Sequence, residues 1–298
     1  MKPTPIEQRP FGTTGLNVSA LGLGAGQLGD ARLSEDAAGT LLNTALDLGV
    51  RLIDTAPSYG LSEERIGRHL RHRRSEFVLS TKVGYGIPGV PDWTYECIVQ
   101  GIDRALARLQ CERIDVVHLH SCDIATMQAN GVMDALDFAR SNGKIAVAAY
   151  SGENEALRFA AQSGRFQSIE ASINLCDQKL LDDVLPLAQQ RGLGVIAKRP
   201  VANAPWRFSE RPVGDYAEEY WQRWKTMAID AHGLDWQELA LRFCVWHSGA
   251  HSAIVGTANV EHLRHNAELV ARGPLPAEWA VEIRAAFARC GEHWVGQV

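Results

Sequence analysis

DTAPSYG, residues Asp54–Gly60, begins where the short, mostly apolar run Val50–Ile53 ends. Two later runs follow the same pattern: STK closes one at Ser80–Lys82, and IDVVHLH closes another at Ile114–His120. Each run is typical of a buried strand, and each carries polar side chains at its carboxyl end. Parallel strands that close into a barrel bring those ends together on one face, where enzymes of this architecture carry out their chemistry. The pattern therefore predicts a parallel barrel with an active site on that face.

Strand-like and helix-like runs alternate along the whole chain and predict an α/β fold, a (β/α)8 TIM barrel with right-handed crossovers. A doubly wound open sheet is the competing prediction, but no GxGxxG motif opens a helix. GTTG at Gly12–Gly15 predicts an N-terminal β-hairpin, and Pro276 precedes an extra C-terminal helix. The predicted barrel strands are Ala20–Gly24, Arg51–Asp54, Phe77–Thr81, Ile114–Leu119, Lys144–Tyr150, Ser168–Ser172, Gly194–Ala197 and Ser252–Val255.

No linker or short repeat divides the chain, so we predict that residues 1–298 form one domain. The connection Val201–Leu234 is long for a barrel and contains several tryptophan and tyrosine residues. Two interpretations fit it equally. It is either a surface excursion that packs its own aromatic side chains or a lid, because long barrel loops lie on the active face.

Composition narrows the classes of partner. The net charge of −5 argues against nucleic acid or an anionic membrane surface. No apolar run reaches the roughly 18 residues that a transmembrane helix needs, and the N-terminus lacks the apolar stretch of a signal peptide, so we expect a cytoplasmic protein. The six cysteines form no CxxC pair and are expected to be reduced. Nothing in the composition indicates an oligomeric state.

The residues at the strand ends suggest a reaction. An acid, a phenol, an ammonium group and an imidazole are each placed at or just beyond the end of a strand. A tyrosine with a lysine and an aspartate behind it can donate a proton, because the ammonium group eases ionisation of a phenol whose free pKa is about 10. A histidine beside it can polarise a carbonyl group. This combination predicts a carbonyl reductase.

With these motifs in order, nearly the whole chain resembles the aldo-keto reductase superfamily. The matching motifs are the Asp-x-Ala-x-x-Tyr-Gly turn, the Thr-Lys strand end and the Asp-(x4)-His strand. The resemblance implies a barrel that binds an extended nicotinamide cofactor without a Rossmann domain. It also implies a catalytic tetrad consisting of Asp54, Tyr59, Lys82 and His120.

The resemblance further implies where the nicotinamide lies, and here the sequence departs from the family pattern. Ser151 and Gly152 match the residues that hold the carboxamide. Glu170 stands where the family has a glutamine, and a carboxylate can accept from the amide N–H but cannot donate to its oxygen. Lys198 stands where an aromatic residue stacks on the ring. Because Glu170 and Lys198 end adjacent strands, we expect them to form an ion pair.

The remaining cofactor contacts are implied in the same way. Gly24, Ala25 and Gly26 follow the first strand, and the residues after the seventh strand resemble a loop that crosses the pyrophosphate, namely Arg199, Pro200, Val201 and Asn203, with Arg207 beyond them. A 2′-phosphate is implied at the last strand and helix, around Gly256, Thr257, Ala258, His262 and Asn266. A helix N-terminus can hold a phosphate, but the lysine and arginine usual in the family are absent here. The resemblance, more than the residues, therefore implies NADP(H) ahead of NAD(H).

Two other functions remain open. His118-Leu-His120 is an HxH pattern, as in barrel metal hydrolases, although it lies on the fourth strand and the other ligands are missing, so we expect no metal. A cofactor-sensing regulatory subunit without turnover is the second alternative, and the intact tetrad argues against it. The substrate is expected to be a small carbonyl compound or a sugar, with Trp93, Tyr95 and Trp206 as candidates for its pocket.

Overall fold

A computed structural model describes residues 6–129 and 131–298. Eight parallel strands close into a barrel, in the order β10-β3-β4-β5-β6-β7-β8-β9, and an antiparallel hairpin of β1 and β2 precedes it. The predicted (β/α)8 barrel with an N-terminal hairpin is therefore confirmed. The strands are β1 Gln8–Pro10, β2 Asn17–Ser19, β3 Leu21–Gly24, β4 Leu52–Asp54, β5 Val78–Val83, β6 Ile114–His120, β7 Ile145–Ser151, β8 Ser168–Ser172, β9 Gly194–Lys198 and β10 Ser252–Gly256.

Helices surround the barrel and return the chain from each strand to the next. Their boundaries follow local signals: α1, for example, begins after Ser34, whose side chain accepts a hydrogen bond from the Ala37 N–H. The extra helix predicted after Pro276 is present as α11. The helices are α1 Glu35–Asp47, α2 Ser62–Leu70, α3 Tyr95–Leu109, α4 Ile124–Gln128, α5 Val132–Ser141, α6 Asn154–Gln162, α7 Leu180–Gln190, α8 Glu218–Met227, α9 Trp236–His247, α10 Val260–Ala271 and α11 Ala277–Cys290.

The barrel interior is apolar at one end and polar at the other. Alternate residues of each strand point inwards. The amino-terminal layers form one buried cluster closed by the hairpin residues Phe11 and Val18, and its strand members are Leu52, Val78, Val116, Val147, Ala149, Ile196 and Ile254. Farther along the strands, the register pairs Asp54 with Ser80 and His120 with Ser151. Polar side chains therefore accumulate at the carboxyl end, as the sequence predicts.

The segment Val201–Leu234 is more regular than a loop. It contains α8, which the sequence analysis missed, and a short 3₁₀ turn at Pro205–Arg207. Its aromatic side chains pack against α9: the rings of Trp206 and Trp236 are stacked with centroids 6.1 Å apart, and Trp224 meets Trp236 edge-on at 5.2 Å. The segment is thus held against the barrel by apolar contacts between its aromatic side chains and α9.

Among the helices of the described residues, none has the length and apolar character needed to cross a membrane.

Candidate active site

An open cleft of about 650 Å³ lies at the carboxyl end of the barrel. This volume is in the range of small-molecule sites. All four residues of the implied tetrad line it: Asp54, Tyr59, Lys82 and His120. Eleven of the implied cofactor residues line it as well, and they are Gly24, Gly26, Ser151, Glu170, Lys198, Arg199, Pro200, Val201, Asn203, Arg207 and Gly256.

Lys82 and Asp54 form a buried ion pair at the floor of this cleft. The Lys82 ammonium group also donates to the Thr55 carbonyl oxygen at 3.0 Å, and Asp54 accepts from the Ser80 hydroxyl at 2.7 Å. Burial alone would lower the pKa of Lys82, but the charges of Asp54 and Glu170 raise it above its usual value. Lys82 therefore stays charged beneath the cleft.

Tyr59 lies above this ion pair, with the Lys82 ammonium nitrogen 5.6 Å from the centre of its ring. The Lys82 charge lowers the pKa of Tyr59, but burial and the charges of Asp54 and Glu170 outweigh it and raise that pKa to about 12. The phenol is accordingly protonated over the whole physiological range. Lys82 thus eases ionisation as expected, but burial first, and then the two carboxylates, more than cancel that effect.

His120 contacts a second tyrosine that the sequence analysis did not single out. The Tyr85 hydroxyl lies 2.5 Å from His120 Nδ1 and 3.0 Å from the Ser58 hydroxyl. Burial, together with the charge of Lys82, lowers the pKa of His120 to about 3, so the imidazole is neutral. The only sequence signal for Tyr85 was its place just beyond the Lys82 strand end.

The expected ion pair between Glu170 and Lys198 does not form, so this prediction was wrong. Lys198 Nζ instead lies 3.2 Å from a carboxylate oxygen of Glu153. The register explains the difference: Lys198 is level with Ser172, two residues beyond Glu170, and two residues of strand rise place the two side chains in different layers. Glu170 turns to the floor, with Oε1 3.5 Å from Lys82 Nζ and 3.1 Å from the Ser151 hydroxyl.

His118 lies below the cleft and is fully buried. Its Nε2 is 3.1 Å from the Ser80 hydroxyl and 3.7 Å from Glu170 Oε2. Within the described residues, Asp54, His118 and Glu170 form a group whose spacing suits a metal ion, but His120 is not part of it. The Lys82 ammonium group contacts both carboxylates of that group, so the position already has a cation. This arrangement does not fit the HxH site of a metal hydrolase.

Polar side chains at the rim of the cleft already have hydrogen-bond partners within the protein. Arg199 donates to the Gln297 carbonyl oxygen and, at 3.3 Å, to the Ser172 hydroxyl. The Asn203 amide donates to the Tyr216 carbonyl oxygen at 2.9 Å. The loop after β9 is thus held in place by the segment that follows it and by the end of the chain. Lining residues that the sequence analysis did not single out as site residues are Gln27, Ser121, Ala204, Tyr216, Ile254 and Val255.

Six implied cofactor residues do not line the cleft, namely Ala25, Gly152, Thr257, Ala258, His262 and Asn266. Their surroundings explain several of these. A Cβ on Gly152 would lie 2.4 Å from the Tyr150 hydroxyl, so this glycine accommodates a buried ring. The Thr257 hydroxyl accepts from the Asn259 N–H, and Asn266 is buried and accepts from Gln237.

The expected aromatic substrate pocket is also not formed by the named residues. Trp93 packs edge-on against Tyr85 with ring centroids 6.2 Å apart, Tyr95 packs against Phe138, and Trp206 stacks on Trp236. None of the three lines the cleft. Trp93 reaches Tyr85 across Gly84, where a Cβ would lie 2.2 Å from the indole ring. Its side chain therefore supports Tyr85 instead of forming a wall of the cleft.

Known proteins resemble this chain in sequence and fold. A model of the aldo/keto reductase family matches residues 20–287. L-galactose dehydrogenase of Arabidopsis thaliana is 29% identical, with 90% of this chain and 89% of the relative aligned, and D-threo-aldose 1-dehydrogenase of a Pseudomonas species is 29% identical, with 89% and 93% aligned. The holo form of an aldo-keto reductase from Bacillus halodurans has a TM-score of 0.81 at 26% identity and covers 94% of this chain and 96% of that chain. The chain belongs to the aldo/keto reductase family and is an enzyme of the oxidoreductase class.

Proposed function

We propose that this enzyme reduces an aldehyde or ketone, or oxidises an alcohol or sugar lactol, by nicotinamide-dependent hydride transfer with Tyr59 as the proton donor. One observation carries the proposal: Tyr59 and neutral His120 line the same cleft, with the buried Lys82–Asp54 pair directly behind the phenol. Hydride transfer to a carbonyl carbon leaves charge on its oxygen. A proton donor and a hydrogen-bond donor beside that oxygen are what the reaction needs.

Each residue has a separate task in this proposal. Tyr59 is protonated and gives its proton to the carbonyl oxygen. The Lys82 ammonium group stabilises the negative charge left on the Tyr59 phenolate, and Asp54 holds the ammonium group in place. His120 is neutral, and its Nε2–H can donate to the same oxygen while Nδ1 is engaged by Tyr85. When bound, the nicotinamide nucleotide supplies or accepts the hydride.

The cleft fits such a nucleotide on two counts. Among the described residues, the buried Glu170 Oε2 has no hydrogen-bond partner, and the Ser151 hydroxyl lies beside the same carboxylate. A carboxamide N–H could donate to Glu170, and the Ser151 hydroxyl could approach its oxygen. Gly24 and Gly26 line the cleft without side chains, so a nucleotide could approach their backbone closely.

The choice between NADP(H) and NAD(H) depends on the start of α10. Asn259 caps that helix with its own side chain, and Glu261 stands in the first turn and pairs with Arg264 at 3.7 Å. Both features weaken an anion site there. The expected preference for NADP(H) therefore receives no support from this region, and we propose a nicotinamide dinucleotide of either kind. Titration of NADPH and NADH against tryptophan fluorescence decides between the two.

The substrate proposal is a sugar lactol or small aldehyde. The relatives named above are called dehydrogenases of L-galactose and of a D-threo-aldose, and the cleft floor is polar enough for hydroxylated compounds. The test is to screen aldehydes and lactols with whichever nucleotide binds. Absence of binding by both nucleotides would refute the proposed function, whereas binding without turnover of any carbonyl compound would favour a regulatory subunit.

A further inference from the structure

The floor of the cleft holds one more carboxylate than it holds ammonium groups. Lys82 lies between Asp54 and Glu170 and contacts both, and all three side chains are at most 2% exposed. An amide at position 170 would leave a balanced pair. The carboxylate at that position gives the floor an additional negative charge, in a place with little water to screen it.

Glu170 is the member of this cluster that stays ionised. Burial would raise its pKa, but the charge of Lys82 above all, with that of Lys198, lowers it below its usual range. The pKa of Asp54 is raised instead, by burial and by the charge of Glu170. The two carboxylates compete for one cation, so Asp54 is the first of the two to take up a proton as the pH falls, and the floor carries its extra negative charge while Asp54 is ionised.

No other cation cancels this charge within the described part of the cleft floor. Lys198 is already paired with Glu153 at 3.2 Å. His118 and His120 are both neutral, since burial lowers their pKa values to about 4 and about 3. The residual charge on Glu170 therefore acts on whatever occupies the cleft above it.

A nicotinamide ring that exchanges hydride with a carbonyl at Tyr59 has to lie over this floor. The reacting carbons must approach to about 3–3.5 Å, and the carbonyl oxygen has to meet Tyr59 and His120. Tyr59 and Glu170 both lie close to the Lys82 ammonium group. Its nitrogen is 5.6 Å from the Tyr59 ring centre and 3.5 Å from Glu170 Oε1. Glu170 is accordingly within range of the ring's charge.

We propose that the Glu170 carboxylate shifts the nucleotide preference of this cleft towards the oxidised, cationic form of the nicotinamide. The inference rests on the proposed function and adds a specificity-determining residue to it. In carbonyl reduction the hydride passes from the ring to the carbonyl carbon, Tyr59 gives a proton to the oxygen, and the ring gains one positive charge. A carboxylate under the ring favours that product, so a reduced nucleotide bound here is a stronger hydride donor.

The test compares the dissociation constants of the oxidised and reduced nucleotide, measured by isothermal titration calorimetry without substrate, at an alkaline pH that keeps Asp54 ionised. Glu170→Gln keeps the shape of the side chain and removes its charge. We expect the preference for the oxidised form, expressed as the ratio of the two constants, to fall by about tenfold, the scale of one poorly screened charge at this range. Glu170→Asp keeps the charge and should keep most of the preference.

Glu63→Gln is the matched control, because Glu63 is also a buried carboxylate but binds Thr81 and Arg108 outside the cleft. It should leave the ratio unchanged. Equal weakening of both redox forms by Glu170→Gln, or the same loss in Glu170→Asp, would overturn the inference and leave the proposed function standing. If the wild-type protein bound neither form, the proposed function itself would fail, and this inference with it.

Discussion

Removal of the Tyr85 hydroxyl tests whether Tyr85 fixes the orientation and tautomer of His120. The hydroxyl lies between His120 Nδ1 and the Ser58 hydroxyl, at 2.5 Å and 3.0 Å. A neutral imidazole carries one N–H, so Nε2 can donate to a carbonyl only if Nδ1 accepts from Tyr85. If the Tyr85 proton is given to Nδ1, the Ser58 hydroxyl at 3.0 Å can donate to the Tyr85 oxygen in turn. The geometry thus makes Tyr85 a positioning residue for His120 and predicts that Tyr85→Phe impairs catalysis.

The size of the effect follows from one lost hydrogen bond. An interaction between neutral groups contributes about 1–1.5 kcal/mol, and leaving a partly buried ring nitrogen unpaired costs about 1–3 kcal/mol. If the transition state loses about 1.4 kcal/mol, kcat for carbonyl reduction falls about tenfold. Nucleotide affinity should not change, because Tyr85 is not among the residues that line the cleft.

The assay is steady-state reduction with a substrate found by the aldehyde and lactol screen, together with a nucleotide titration. Tyr95→Phe is the matched control, because Tyr95 packs against Phe138 on the helix side and does not line the cleft. A kcat unchanged in Tyr85→Phe would refute the reasoning. A loss shared equally by Tyr95→Phe would show that the effect is structural.

Four further predictions concern the site. Tyr59→Phe should bind nucleotide as before, while turnover falls at least about a hundredfold; comparable turnover would remove Tyr59 from the mechanism. His120→Ala should slow reduction and dialysis against a chelator should not, so activity that tracked stoichiometric zinc would revive the hydrolase alternative. Because the pKa values of His120 and Tyr59 are about 3 and about 12, the kcat profile for reduction should show no inflection from either group between about pH 5 and pH 10; a break near pH 6.5 that His120→Ala abolished would contradict this. Lys198→Ala strands the buried Glu153 carboxylate and should cost about 3–5 kcal/mol in urea unfolding; adding Glu153→Gln should recover part of that loss, and simple additivity in the double-mutant cycle would mean that the pair does not interact.

The sequence alone determined the architecture. The alternation of strand-like and helix-like runs was sufficient to predict the barrel. The spacing of apolar residues and the length of each run are local properties that can be read from the sequence alone. The strand Ser168–Ser172 has the same boundaries in the structure as in the prediction. The polar residues at strand ends also indicated the catalytic face, because the carboxyl ends of all parallel strands in a barrel lie on the same face. Helix α8 was missed, because its buried side chains pack against remote segments, among them α9 and α11, and no pattern within the segment itself shows those contacts.

Tertiary structure decided which charges meet. Sequence could place Glu170 and Lys198 at the ends of adjacent strands, but the stagger between β8 and β9 sets Lys198 level with Ser172. A shift of two residues moves a side chain to another layer of the barrel, so Lys198 binds Glu153 and Glu170 binds Lys82. The contact between Tyr85 and His120 arises in the same way, from a loop that folds back over the end of a neighbouring strand. Such contacts depend on distances between segments that are remote in the sequence. They cannot be predicted from the residues of one strand.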